Sequence, residues 1–189
     1  MNLLPALASS LYRARSRMRA RATNGSAALE FAMIAPVLFF FLFAIIETGV
    51  IFFATTMLQN ATADTARLIR TGQLSGTLTA AQIRTNVCSE VYGLISDCGT
   101  ALQVDLRAYT SFTSASYPTV TQSNGTLDFT KLQIQAVADC SIVLLRTFYS
   151  WSIMTPLMTP FLQSGTSGKA LLTSSAAFRT EPYTSSSTC

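Results

Sequence analysis

FAMIAPVLFFFLFAII, residues 31–46, contains no polar side chain, and carrying the run on to Ala54 adds one charge, Glu47, in 24 residues. As a helix such a segment reaches about 36 Å at about 1.5 Å per residue, enough to cross a hydrocarbon core of about 30 Å. Mean hydropathy is positive over the whole chain, and this stretch is where the excess apolar content is concentrated. Residues 26–55 are therefore expected to form a transmembrane helix, with Asn24 as N-cap and Pro36 freeing a backbone carbonyl about one third of the way along.

On the N-terminal side lie Arg13, Arg15, Arg17, Arg19 and Arg21, five of the thirteen basic residues, with no acid before Glu30. From residue 22 onward eight Lys or Arg face nine Asp or Glu, so the net charge of +4 belongs to the first 25 residues. Beside an apolar span, that cluster reads as a topology signal that keeps the N-terminus cytoplasmic and sends the remainder across the bilayer. It does not read as a nucleic-acid surface. Residues 1–25 are expected to be a basic leader without regular structure or lying on the lipid surface.

On the C-terminal side Leu58, Ala61, Thr65, Leu68 and Ile69 continue a helical stripe, predicting an extension over 56–71 that stops at Gly72. Thr79 and Gln82 have capping-box spacing, and Ile83, Val87, Val91 and Leu94 predict a second amphipathic helix over 79–95. The period then changes to two. Val104, Leu106 and Ala108 alternate with Gln103, Asp105 and Arg107, predicting a half-buried strand over 103–109; further strands are expected at 131–138, 141–149 and 170–178. Residues 110–126 read as a polar loop. The fold class is α+β: an N-terminal transmembrane helix extending into an outer domain, residues 56–189, with a second helix and a small antiparallel sheet.

The chain has no histidine, which excludes Ser-His-Asp and Cys-His nucleophiles and the commonest zinc ligand, and no glycine-rich phosphate loop is present. No catalytic residue, metal site or cofactor is expected. Cys88, Cys98, Cys140 and Cys189 all follow the span, and an even count in an oxidising compartment favours disulfides. Of the three possible connectivities the short local loop favours Cys88 with Cys98, leaving Cys140 with Cys189.

Basic tail, glycine and carboxylate meet at Gly25-Ser26-Ala27-Ala28-Leu29-Glu30-Phe31. Glu30 at the start of an apolar helix is favoured by the helix dipole, which offsets part of the roughly 2.5–3.5 kcal/mol that an acid costs within a membrane helix. Cleavage after Gly25 would place a new α-amino group on Ser26, one turn from Glu30, able to pair with it in the same chain or in a neighbour. A plain interfacial glutamate is the other reading of the same spacing.

GSAALEFAMIAP, followed by IIETG and LQNATADTAR, resembles the N-terminal signature of TadE-like proteins, the pilin-like minor components of tight-adherence (Flp-type, type IVc) pilus systems. The likeness continues through VCSEVYGLISDC, LQVDLRAYTSF and AAFRTEPY, to about residue 183. The resemblance implies a pseudopilin-like structural protein, not an enzyme, of the bacterial inner membrane, single-pass, with a periplasmic C-terminal domain. It implies cutting by a prepilin peptidase after Gly25, with Gly25, Ser26, Glu30 and Phe31 matching the processing motif. It implies that Glu47 and Gly49 match a second membrane signature, Glu47 facing protein and Gly49 admitting a neighbouring helix. The implied partners are the lipid bilayer, other pilin-like subunits, Tad inner-membrane assembly proteins and the peptidase; the energy comes from a separate ATPase. Roles in pilus biogenesis, surface adherence or secretion follow.

Three other readings compete. An unprocessed bitopic protein would use its outer domain to bind a partner or ligand. A long secretory signal would end at Ala61-Thr62-Ala63, although its apolar run exceeds the usual 7–15 residues. An outer-domain enzyme has no motif in its favour.

Overall fold

A computed structural model describes residues 4–74, 77–91, 93, 95, 97–182 and 189, with side chains described from residue 25 onward. The architecture is α+β: a long N-terminal helix, a second helix and a three-stranded antiparallel sheet. The chain divides into two compact units, Met1–Ile46 and Glu47–Cys189.

Helix α1 spans Leu4–Arg70. It begins well before Asn24, where the sequence predicts its start, and residues 4–25 of the basic leader are helical rather than irregular. Leu, Ala, Arg and Met fill most of residues 4–23, and these strong helix formers outweigh the cost of about 1 kcal/mol for Gly25 in a helix interior. The side chains of Arg13, Arg15, Arg17, Arg19 and Arg21 lie outside the described residues. In the first unit Val37, Leu38, Phe39, Phe41, Leu42 and Phe43 are all exposed, and consecutive positions 100° apart leave no polar side on this length of helix. One helix, Gly25–Arg70 as described, is thus long and apolar enough to cross a membrane.

In the second unit the same helix becomes one-sided. Ala54, Leu58, Ala61, Thr62, Thr65, Ala66 and Ile69 are buried, while Gln59, Asn60, Asp64 and Arg67 are exposed. The helix stops at Arg70, and Gly72 follows in the left-handed region at φ 73°, which glycine adopts without the steric cost of a Cβ. Helix α2, Ala80–Glu90, opens on the expected capping box: Thr79 Oγ1 accepts from the Gln82 amide while Gln82 Oε1 accepts from the Thr79 amide. It buries Ile83 and Val87, with Val91 just beyond its end; Leu94 lies outside the described residues. A short helix α3, Cys98–Ala101, leads into the sheet.

Strands β1 (Leu102–Tyr109), β2 (Ile142–Ser152) and β3 (Lys169–Arg179) pair in chain order, with β2 in the middle. Leu102, Val104 and Leu106 of β1 and Val143, Leu145, Tyr149 and Trp151 of β2 form one core with the buried faces of α1 and α2. A buried hydrogen bond of 2.7 Å between the hydroxyls of Thr62 and Thr147 ties α1 to the central strand.

No strand forms at 131–138. Ile134 makes a single parallel bridge to Leu106: the Leu106 amide donates to Gln133 O and the Gln135 amide to Leu106 O. Side chains take the groups that would lengthen the ladder. Asp105 Oδ1 accepts the Gln133 amide, and Gln135 Oε1 accepts the Ala108 amide. On the second face of the sheet Val120 and Leu127, with Leu132 partly buried, pack with Phe148, whereas Ile134 and Val137 pack against the first core.

Candidate functional site

Two stretches of α1 carry the residues singled out by the sequence. In the first unit Gly25, Ser26, Glu30 and Phe31 are all helical and exposed, and Ser26 and Glu30 share a face one turn apart. A Cβ added at Gly25 would meet nothing within 4 Å, so its backbone is open on the side where a side chain would stand. Pro36 is interior to the helix and exposed; its ring removes one amide donor and leaves a carbonyl of the preceding turn without its usual partner.

In the second unit Glu47 is only 2% exposed, although its neighbours Thr48 and Gly49 are exposed. Its carboxylate is held by the segment that leaves β2: the Met154 amide donates to Oε1 and the Thr155 hydroxyl to Oε2, both at 3.1 Å. A carboxylate within an apolar helix is costly unless hydrogen-bonded, and two donors from the same chain meet that need. Gly49, two residues on, has nothing within 4 Å of where a Cβ would stand, leaving a flat helical surface. Met154 and Thr155 were not visible as partners of Glu47, being 107 and 108 residues away with no local pattern to announce them.

The sheet holds a second polar centre, in which Asp105, alternating with the apolar residues of β1, is buried rather than facing solvent. Asp105 and Arg146 are register partners on β1 and β2, and both are buried. Arg146 Nε and Nη2 donate to Asp105 Oδ2 at 3.0 and 2.6 Å, and Arg107 Nε donates to the same oxygen at 3.0 Å. Arg146 Nη1 donates to Pro118 O at 2.7 Å, and the guanidinium lies 4.8 Å from the Tyr117 ring centroid. The segment carrying Tyr117 and Pro118 is thereby fastened to the sheet through this pair. One signal pointed to it: a lone arginine within the apolar strand IVLLRTFY requires an acid opposite.

Two disulfides brace the unit. Cys88 bonds Cys98, joining α2 to α3, and Cys140 bonds Cys189, with Cα–Cα separations of 5.7 and 5.4 Å. Tyr149 donates to Asp97 Oδ1 at 2.6 Å; burial, and then that carboxylate, raise its hydroxyl pKa well above the ordinary value. Among the described residues no group of three or more His, Cys, Asp or Glu is placed to hold a metal ion.

The family model described as TadE-like protein matches residues 25–67. Over residues 25–67 the chain is similar to TadE-like proteins. The TadE-like segment begins at Gly25, contains Glu30, Phe31, Pro36, Glu47 and Gly49, and ends in the last turn of α1. Helix α2, the sheet and both disulfides lie beyond it. No curated protein and no solved structure matches the chain.

Proposed function

We propose that the chain is a pilin-like structural subunit of a tight-adherence (Flp-type, type IVc) pilus assembly system, a minor component acting in pilus biogenesis, surface adherence or secretion. The observation that carries this is the TadE-like segment itself, laid over an apolar helix with Gly25 and Ser26 at its start and Glu30 one turn on. In this reading α1 crosses the bacterial inner membrane with the arginine cluster cytoplasmic, and residues 56–189 form the periplasmic domain. Disulfides suit that oxidising compartment.

A prepilin peptidase cuts after Gly25, and the α-amino group of Ser26 pairs with Glu30 of the same or a neighbouring helix. Gly49 offers the open surface on which another pilin-like helix packs closely. The role is structural, and a separate ATPase in the membrane machinery powers assembly.

Intact mass and N-terminal sequence of the protein from membranes of a host with its own peptidase test the reading. A start at Ser26 is expected. A start at Met1 would favour an uncut anchored protein with a partner-binding outer domain, and a start at Asp64 a secreted one. Glu30→Ala should leave membrane insertion intact and impair assembly with other pilin-like helices; wild-type pilus levels would contradict the pairing.

A further inference from the structure

The segment between β2 and β3 presents a strongly apolar surface. In Ile153–Leu162 only Thr155 and Thr159 are polar, and no charged residue occurs from Thr147 to Gly168. It forms a 3-10 turn, Pro156–Met158, and helix α4, Thr159–Leu162. Its large apolar side chains point outward: Met154 is 66%, Leu157 68% and Phe161 78% exposed. Ile153 packs on the core and Glu47 holds the Met154 amide and Thr155 hydroxyl, so the outward display is anchored at its base.

Its level along α1 decides what it faces. The Ile142 and Arg179 end of the sheet lies beside Arg70, whose carbonyl accepts from the Glu181 amide and whose side chain pairs with the Glu181 carboxylate. The opposite end, where Ser152 pairs with Lys169, leads into the segment bonded to Glu47. Glu47 lies seven residues, about 10 Å of helix, before the apolar run ends at Ala54, and Phe52 and Phe53 are exposed in between. If those phenylalanines face acyl chains, so does a loop fastened deeper than they are. A depth of about 5–10 Å is that of amphipathic elements lying at the headgroup and acyl boundary.

We propose that Ile153–Leu162 is a second membrane-embedding element, with Met154, Leu157 and Phe161 in the outer acyl layer beside α1 and its backbone shielding Glu47 from lipid. The domain is then seated on the bilayer by two elements, α1 and this loop. Lys169, the first charge after the loop, stands at headgroup level.

The proposal rests on α1 crossing a membrane, and the experiment separates the two. All four cysteines are in disulfides, so a single introduced cysteine offers a unique thiol. Leu157→Cys, Phe161→Cys, Leu42→Cys in the apolar run and Thr113→Cys beyond the far end of β1 are each labelled with an environment-sensitive dye. The full chain is reconstituted in phosphatidylcholine–phosphatidylglycerol vesicles and quenched with aqueous iodide or lipid-borne nitroxide. Severalfold stronger nitroxide quenching and severalfold weaker iodide quenching at 157 and 161 than at 113 are expected. Iodide access at 157 and 161 equal to that at 113, with position 42 still lipid-quenched, would overturn the loop's embedding alone. Iodide access at 42 would overturn the span and the loop together. Protection of 157 and 161 from both quenchers would overturn it in favour of a protein partner on this face.

Discussion

Between Leu29 and Ile46 large apolar side chains stand exposed, whereas in the second unit Asp105, Arg146, Thr62, Thr147 and Glu47 are buried. The two regions invert the usual arrangement for different reasons. The first has no polar face to turn outward, so only an apolar surrounding covers it. The second has enough apolar surface to close a core and then encloses polar groups that have partners inside: Asp105 with Arg146, Thr62 with Thr147, Glu47 with Met154 and Thr155. Apolar content alone therefore does not tell which residues are buried here. What tells is whether polar residues occur at helical or strand spacing among the apolar ones.

The buried pair is where this contrast breaks hardest. Asp105→Ala strands the Arg146 guanidinium in the sheet and should lower unfolding stability by about 3–5 kcal/mol, read by denaturation in detergent micelles through Trp151, the only tryptophan. A loss below about 1 kcal/mol would mean that the pair is solvated. Next in size, opening Cys140–Cys189, which spans 49 residues, should cost about 4 kcal/mol, and opening Cys88–Cys98, which spans 10, about 3 kcal/mol. Cysteine-to-alanine variants measured under the same oxidising conditions give the order.

The direct comparison within α1 uses one residue type twice. Leu58→Ala removes a fully buried side chain and should cost about 2–5 kcal/mol, while Leu42→Ala should leave unfolding of the second unit within about 0.5 kcal/mol. Equal effects at both positions would erase the distinction between the two lengths of helix. Glu47→Ala leaves the Met154 amide without its acceptor and should cost about 1–3 kcal/mol, with Glu47→Gln recovering part.

The smallest effect is expected at Tyr149. Its hydroxyl pKa is raised by burial and by Asp97, so the neutral form is favoured in the folded chain. That contribution is complete below the unfolded value of about 10 and fades as pH rises toward the higher folded value. Tyr149→Phe should therefore cost about 1 kcal/mol at neutral pH, with the gap to the parent protein narrowing above about pH 10. A constant gap from pH 7 to 11 would remove Tyr149 titration from the account.

Much of this architecture was legible residue by residue. The apolar run, the stripe from Leu58 to Ile69, the capping box at Thr79 and the strand alternation at Val104 and Leu106 are local patterns, set by helix and strand geometry over a few neighbours. The start of α1 was misplaced because Asn24-Gly25 looks like a cap locally, while the helix formers on its N-terminal side carry the helix through it. The strand expected at 131–138 failed for a tertiary reason: Asp105 and Gln135 side chains occupy the backbone groups that a longer ladder would use.

The candidate site divides along the same line. Gly25, Ser26, Glu30, Phe31 and Gly49 stand out by sequence because their meaning lies in spacing along one helix, and the TadE-like match ends where that helix ends. Glu47 stood out as a carboxylate in an apolar run, but the groups that satisfy it come from beyond β2. Sequence alone determined which segment is long and apolar enough to cross a membrane, because the run has no polar side. Only the tertiary structure decided where Asp105, Arg146 and Glu47 find their partners and which end of the sheet bears the exposed Leu157 and Phe161. Those follow from strand register and from which end of the sheet lies beside which turn of α1, and neither is encoded at short range.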